Sequence, residues 1–211
     1  MVEALTAWWP LIVGAYLLGS LSFSLLVVRL LKGEDIRETG SGNAGATNVL
    51  RTVGKGPALL VLALDVAKGW VPVVIGRGLE APGWVLGAAA LAAVMGHVFP
   101  LFFGLRGGKG MATTVGALAS LAPLGASMSA VVFALAVLTT RWVSLGSIGA
   151  TATFPAWVHL GGRLGWTEPA PAWLLVSASA IALLVIGKHH ENIRRILAGT
   201  EHRLGTAVEE K

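Results

Sequence analysis

The sequence contains no cysteine and few charged residues. Lys, Arg, Asp and Glu make up 13% of its 211 residues, against roughly 25% in soluble domains. The absence of cysteine excludes disulfide bonds, thiolate nucleophiles and Cys-ligated metal sites. So little charge cannot coat a soluble surface, and 55% of the residues are hydrophobic. Lipid must therefore cover much of this protein.

Long apolar runs predict an all-α integral membrane protein, because a helix needs about 20 apolar residues to cross the bilayer. The run over residues 112–139 is too long for one crossing and is interrupted by Pro123, which predicts a short helix, a turn and a longer helix. The other predicted spans are 8–31, 57–75, 84–103, 142–160 and 172–187. We therefore expect a seven-helix transmembrane bundle, with residues 1–211 forming a single domain.

Basic residues are distributed unequally between the two sets of connecting segments. Twelve lie in one set, and only Arg77 and Arg163 lie in the other. Because Lys and Arg favour the cytoplasmic side, we predict that the N-terminus is outside and the C-terminus is cytoplasmic. The twelve are Lys32, Arg37, Arg51, Lys55, Arg106, Lys109, Arg141, Lys188, Arg194, Arg195, Arg203 and Lys211.

The first polar segment alternates glycine with short polar side chains over residues 40–48. Its glycines at 40, 42 and 45 allow several backbone N–H groups to face one anion. Neutral donors come from Ser41, Asn43, Thr47 and Asn48, and the cations Arg51 and Lys55 follow. A flexible turn is the alternative, but the alternation favours an anion site. A dinucleotide-binding loop is not supported, because a membrane helix rather than a strand precedes the segment.

The second polar segment covers residues 96–116 and has Lys109 among the glycines at 107, 108 and 110. Flanking glycines allow a lysine to approach a phosphate with little steric hindrance. A nucleotide-binding P-loop is unsupported, because Gly110 follows the lysine where that motif needs Ser or Thr. The alternative is a basic anchor beside a helix start.

The third polar segment covers residues 188–205. On a helix, His189, Asn192 and Arg195 would share one face. An amphipathic basic helix on anionic lipid explains the segment equally well. The adjacent His189 and His190 point in different directions on a helix, so a metal site is not expected.

Polar residues within the predicted spans are few. Asp65 and Lys68 are spaced i, i+3 and can pair with each other, and they should face the bundle because an unpaired charge in lipid is costly. Ser144 and Ser147 are further polar candidates at a cytoplasmic helix end, although small hydroxyl residues there are more often packing residues.

Three polar segments on one predicted face favour a small, multiply charged anion as ligand, and phosphate esters fit best. A membrane bundle beside that site can hold an acyl chain. This combination predicts transfer of an acyl group to a phosphate-bearing acceptor. The alternatives are a membrane transporter for phosphate or organophosphate, which would need access from both sides, and a non-catalytic scaffold.

The chain resembles the bacterial acyl-phosphate:glycerol-3-phosphate acyltransferases from about residue 10 to residue 205. Residues 41–55, 96–113 and 189–201 are similar to the three cytoplasmic motifs of that family, in the same order. The departures are mild: Arg106 stands where Lys is usual, Leu105 where Phe is usual, and His190 where Arg or Lys is usual.

The resemblance implies transfer of the acyl group of an acyl phosphate to sn-glycerol 3-phosphate, giving 1-acyl-glycerol 3-phosphate and phosphate. It implies a multi-pass protein of the bacterial inner (plasma) membrane with a cytoplasmic active site. The expected partners are the two substrates and the lipid bilayer, with no cofactor, metal or nucleic acid, and a monomer is the working expectation.

The resemblance, together with charge, also assigns residues to roles. The substrate-binding set is Ser41, Gly42, Asn43, Thr47, Asn48, Arg51, Gly107, Gly108, Lys109, Gly110, Thr113 and His189, and the catalytic set is His189, Asn192, Lys109 and Ser144. The proton acceptor stays open between His189 or His97 and the phosphate of the donor, whose second pKa is about 6 by analogy with phosphoesters. We favour the donor phosphate.

Overall fold

Ten α-helices account for most of residues 2–205, the part of the chain that the computed structural model describes, with side chains from residue 6 onward. No β-strand occurs within these residues, so the all-α prediction is confirmed there. Lys211, one of the predicted cytoplasmic cations, lies outside the described residues. The helices are α1 (Val2–Gly19), α2 (Phe23–Lys32), α3 (Ala46–Thr52), α4 (Lys55–Gly78), α5 (Gly83–Val98), α6 (Met111–Leu121), α7 (Pro123–Thr140), α8 (Val143–Arg163), α9 (Ala172–Lys188) and α10 (His190–Leu197).

Four helical segments are long and apolar enough to cross a membrane: Thr6–Lys32, Lys55–Gly78, Gly83–Phe103 and Pro123–Thr140. A fifth is present if α9 and α10, which are bent by 58° to each other, count as one span. The predicted turn near Pro123 is confirmed, since α6 ends at Leu121 and α7 begins at Pro123. Helix α8 is 21 residues long, but its glycine and polar residues lower its mean hydropathy, and it is not among these four segments. Seven crossings and their orientation remain predictions.

The first predicted span, 8–31, is not one continuous helix. Residues 20–22 interrupt it between α1 and α2. At the end of α1 the backbone lies directly against α5, because a Cβ at Gly19 would overlap the carbonyl group of Ala93 and a Cβ at Gly96 would overlap the backbone of Tyr16 and Ser20. Small residues permit this close approach of two membrane helices.

Residues 2–117 form one compact unit. Helix α4 also contacts α6 closely, because a Cβ at Gly69 or at Gly116 would overlap the backbone of the other helix. Beside the first polar segment, a small apolar core gathers residues from α2, α3, α4 and the connection between α2 and α3. Its buried members are Leu25, Val28, Ile36, Ala44, Val49, Ala58 and Val61. This core anchors the base of the segment at 40–48.

Residues 118–205 form a second compact unit. Helices α7 and α8 are antiparallel: Gly125, near the start of α7, faces Phe154 and Val158, whereas Gly146, near the start of α8, faces Phe133. After α10 the chain turns back, and the backbone N–H of Leu204 donates a 2.7 Å hydrogen bond to the carbonyl of residue 141. The third polar segment is therefore folded against the α7–α8 connection.

Candidate active site

The side chain of Asn48 shapes the first glycine loop, residues 40–48. Its amide donates 3.0 Å hydrogen bonds to the carbonyls of Ile36 and Thr39 and accepts a 2.9 Å hydrogen bond from the N–H of Ser41. Gly40 has φ +58°, and a Cβ there would overlap this amide. Both N–H groups of the buried Asn48 amide thus donate to backbone carbonyls just before the loop. The predicted contact of Asn48 with substrate stays a prediction.

The other predicted residues of the first loop are more accessible. Ser41 and Gly42 are exposed, and Asn43, Thr47 and Arg51 are half-buried. Helix α3 begins at Ala46 and has 7 residues, so its macrodipole is small. The N–H groups of Ser41, Gly42 and Gly45 already donate hydrogen bonds within the segment. We therefore look to these side chains, rather than to the helix, for anion contacts.

An ion pair beside the first loop ties it to the segment that precedes Lys109. The guanidinium of Arg37 lies 2.6 Å from a carboxylate oxygen of Asp35 and donates hydrogen bonds to the carbonyls of Phe103 and Arg106, at 2.9 and 3.3 Å. The hydrogen bond from Arg37 holds the pKa of Asp35 below its ordinary value. These residues line an open cavity of about 520 Å³. Because the Arg37 guanidinium is engaged in this way, its role is to join the two segments.

The second glycine loop, residues 107–110, lies flat against the end of α5. The N–H groups of Gly107 and Gly108 donate 3.2 Å hydrogen bonds to the carbonyls of Val98 and His97. A Cβ at Gly108 would overlap both the His97 ring and the carbonyl of Ala44 in the first loop. The two glycine loops therefore meet, backbone to backbone, at Ala44 and Gly108.

Lys109 follows Gly108 directly, so its backbone lies beside this junction, and the residue is half-buried. Gly110 has φ +82°, a left-handed conformation that favours glycine and turns the chain into α6. The Thr113 side chain is fully buried in α6, and its hydroxyl has no hydrogen-bond partner among the described residues. Its predicted substrate contact stays a prediction.

In the second unit, Glu201 gathers two of the predicted catalytic residues. One carboxylate oxygen accepts hydrogen bonds from Ser144 at 2.9 Å and Asn192 at 2.7 Å, and the other accepts one from Arg195 at 2.8 Å. Burial raises the pKa of Glu201, but the hydrogen bonds from Asn192, Ser144 and Arg195 outweigh it and leave that pKa below its ordinary value. The carboxylate is therefore an ionised acceptor at neutral pH.

Glu201 was absent from the predicted site residues. Its position within the third motif, after the glycine at 199, was the available signal. A carboxylate in a mostly basic segment gathers donors around itself, but the sequence does not show which donors are near.

His189 lies where α9 ends and is buried, whereas the adjacent His190 is exposed. Its Nδ1 is 2.7 Å from the carbonyl of Val185. Since a carbonyl can only accept, Nδ1 must carry the hydrogen, and in the neutral ring Nε2 is then the acceptor. The imidazole can thus accept a proton or a hydrogen bond at Nε2.

The family model for glycerol-3-phosphate acyltransferases matches residues 9–199 of this chain. The chain belongs to the glycerol-3-phosphate acyltransferase family. It is 45% identical over 204 residues to a protein of Halalkalibacterium halodurans named glycerol-3-phosphate acyltransferase, covering 95% of this chain and 97% of that one.

Two crystal structures of another family member, PlsY (YgiH), an integral membrane glycerol 3-phosphate acyltransferase, have the same fold. The glycerol 3-phosphate form matches with a TM-score of 0.86 and 42% identity, over 97% of this chain and 96% of that one. The lysophosphatidic acid form matches with a TM-score of 0.83 and 40% identity, over the same shares. With its all-helical build and apolar spans, this glycerol-3-phosphate acyltransferase family member is an integral membrane protein.

Proposed function

We propose that the chain transfers the acyl group of an acyl phosphate to sn-glycerol 3-phosphate, and that the products are 1-acyl-glycerol 3-phosphate and inorganic phosphate. The observation that carries this proposal is the contact of the two glycine loops at Ala44 and Gly108. The two loops meet with Lys109 in the second and Arg51 in helix α3, directly after the first, and these two cations suit a pair of phosphate groups held side by side.

The proposed roles follow the charges of the substrates. Lys109, Arg51 and His189 bind the phosphate of glycerol 3-phosphate. The first glycine loop binds the acyl phosphate through Ser41, Gly42, Asn43, Thr47 and Asn48, and Gly107, Gly108, Gly110 and Thr113 complete the binding set. Asn192 and Ser144 orient the hydroxyl or the carbonyl. The Glu201 carboxylate supports this last role, because it fixes both side chains.

In the proposed reaction the C1 hydroxyl oxygen of glycerol 3-phosphate attacks the acyl carbonyl carbon. A new ester C–O bond forms, and the bond between the acyl carbon and the phosphate oxygen breaks with its electron pair going to the phosphate. Negative charge grows on the leaving phosphate, so its oxygen becomes basic enough to take the hydroxyl proton. Donors preorganised around that phosphate lower the barrier by electrostatic stabilisation.

His189 and His97 are the competing proton acceptors. The Nε2 of His97 packs against Gly108, whereas the Nε2 of His189 is unprotonated in the neutral ring. His189→Ala separates the two routes. Transfer of the proton to the donor phosphate predicts mainly a raised KM for glycerol 3-phosphate. A loss of kcat of about 10²-fold or more, with KM unchanged, would instead assign the base role to His189.

For the membrane arrangement we propose seven crossings in the bacterial inner membrane, an N-terminus outside, and the C-terminus and active site on the cytoplasmic side. The unequal distribution of basic residues supports this orientation. We also propose that the chain, residues 1–211, acts as one acyltransferase domain, since a single family model spans 9–199.

The donor is tested with purified protein in lipid vesicles, labelled glycerol 3-phosphate and one acyl donor at a time. Acyl phosphate should give labelled 1-acyl-glycerol 3-phosphate and one phosphate per product, whereas acyl-CoA and acyl-carrier protein should give none. Turnover with a thioester donor but not with acyl phosphate would refute the proposed donor. Uptake of label into the vesicles, without product, would indicate transport instead.

A further inference from the structure

Asp65, Lys68 and His97 form a buried group of ionisable side chains within residues 2–117, and the proposed reaction uses none of them. Their relative exposures are 1%, 2% and 6%. Ionisable groups at such positions are costly unless they pair with each other. The predicted pairing of Asp65 with Lys68 is confirmed at 2.8 Å.

Lys68 has a structural task. Its ammonium group donates a 2.8 Å hydrogen bond to the carbonyl of Leu21, in the interruption between α1 and α2, and lies 5.4 Å from the ring centre of Phe23. A backbone carbonyl released from a helix needs such a partner where water is absent. Lys68 therefore stabilises the broken first span, and Asp65 neutralises it.

Asp65 also faces a second group, the ring of His97. Its Oδ1 is 3.6 Å from Nδ1 of that ring. The opposite ring nitrogen, Nε2, packs against Gly108, where a Cβ would overlap it. The His97 carbonyl accepts the 3.2 Å hydrogen bond from the N–H of Gly108. His97 thus contacts the second glycine loop with both its backbone and its ring, and Asp65 lies on the far side of the ring.

We propose that Asp65 and His97 are positioning residues that hold the second glycine loop in its phosphate-binding conformation. Asp65 fixes the orientation of the His97 ring, the ring supports Gly108, and Gly108 sets the backbone of Lys109. The inference rests on the proposed role of Lys109 in binding the phosphate of glycerol 3-phosphate. It links a charged group inside a membrane span to the geometry of the substrate site.

The test uses two independent sets of variants. The double variant Asp65→Asn/Lys68→Met removes the carboxylate together with its ammonium partner, because removing both members of a buried pair is tolerated far better than removing one. His97→Asn removes the ring from Gly108, and His97→Gln retains a polar atom near the former Nε2. Ser129→Ala, which changes a buried hydroxyl in the unit of residues 118–205, is the control.

The measured quantities are kcat, the KM for each substrate and the thermal midpoint. The double variant and His97→Asn should raise the KM for glycerol 3-phosphate by about tenfold or more. Their KM for the acyl donor should stay close to the wild type. The thermal midpoint should also stay close to the wild type in His97→Asn, whereas in the double variant it should fall, because the carbonyl of Leu21 loses its ammonium donor. His97→Gln should recover part of the loss, and Ser129→Ala should match the wild type. An unchanged KM for glycerol 3-phosphate overturns the inference. An equal rise in the KM for both substrates, together with a lower thermal midpoint, also overturns it, since that result indicates a purely structural role.

The choice of acyl donor distinguishes a failure of the positioning role from a failure of the proposed donor. The variants are measured as ratios to the wild type, with whichever acyl donor the wild type uses. A wild type that is inactive with acyl phosphate but active with a thioester refutes the proposed donor, and the variant ratios still decide the positioning role.

Discussion

Glu201 accepts a 2.9 Å hydrogen bond from the hydroxyl of Ser144, although 57 positions of sequence separate them. The same oxygen accepts a 2.7 Å hydrogen bond from Asn192. One buried carboxylate thereby joins the start of α8 to α10 and holds two proposed catalytic side chains at a fixed spacing. A site built in this way depends on a residue that itself need not touch substrate.

Replacing Glu201 with glutamine should lower both stability and activity. An amide offers N–H donors where the carboxylate offered an acceptor, so at least one of its three present donors loses its partner. We expect a cost of about 1–3 kcal/mol in the free energy of unfolding and a fall in kcat, measured by denaturant titration and by acyl transfer. Glu168→Gln, at an exposed position, should change neither quantity. Equal stability of the two variants would contradict the assigned role of Glu201.

The pH dependence of stability provides a second test of Glu201. Its folded-state pKa is below the ordinary value, so it stabilises the protein above the unfolded pKa of about 4.3. That stabilisation is lost as the pH falls through the lower folded value. Thermal midpoints recorded from pH 7 down to about pH 3 should fall less steeply for Glu201→Gln than for the wild type. An unchanged slope would show that the carboxylate is not preferentially stabilised in the fold.

Gly108→Ala should disrupt the junction of the two glycine loops. The added methyl group would overlap the His97 ring and the carbonyl of Ala44, so the loops must separate. We expect kcat/KM to fall by about 10²-fold, as for other displacements of about 1 Å in substrate-binding groups. Gly56→Ala is the matched control, because nothing lies within 4 Å of its Cβ position, and it should retain wild-type activity. Normal activity in Gly108→Ala would mean that the contact is not needed.

Asn48 and Asn43 should give different phenotypes although both belong to the first glycine loop. Asn48→Ala removes two donors and one acceptor from the loop backbone, and should cost about 1–3 kcal/mol of stability. Asn43→Ala should leave the thermal midpoint nearly unchanged and raise the KM for the acyl donor. The opposite phenotypes would show that Asn43, and not Asn48, holds the loop backbone.

The sequence predicted the helix positions well, because hydropathy marks where a membrane helix begins and ends. It did not predict the interruption at residues 20–22, since three residues barely change the hydropathy of a 27-residue segment. The i, i+3 spacing identified the Asp65–Lys68 pair, which is local. The approach of His97 to that pair depends on how α4 and α5 pack, and no spacing along the chain encodes it.

The candidate site likewise combines features that local sequence encodes with features that depend on long-range contacts. Glycine and cation patterns identified the two loops of the first unit, because those residue types are needed wherever a backbone binds a phosphate. The inward orientation of Asn48 and the role of Glu201 depend on long-range hydrogen bonds. A sequence shows that a residue can donate or accept, but it does not show which partner is near.

The orientation in the membrane can be measured directly, because the chain has no cysteine. Single cysteines at the exposed positions of Glu34 and Glu168 would be treated with a membrane-impermeant thiol reagent in intact spheroplasts. The Glu168→Cys variant should be labelled at once, and the Glu34→Cys variant only after permeabilisation. Labelling in the reverse order would invert the proposed orientation.

In the proposed site, the meeting of the two glycine loops gives Lys109 its position for the phosphate of glycerol 3-phosphate. The most direct measurement is the equilibrium binding of glycerol 3-phosphate to purified wild type, Lys109→Gln and the charge-matched control Arg163→Gln. We expect binding at least about tenfold weaker in Lys109→Gln, which corresponds to about 1.4 kcal/mol, with Arg163→Gln equal to the wild type. Equal affinity in all three proteins would contradict it.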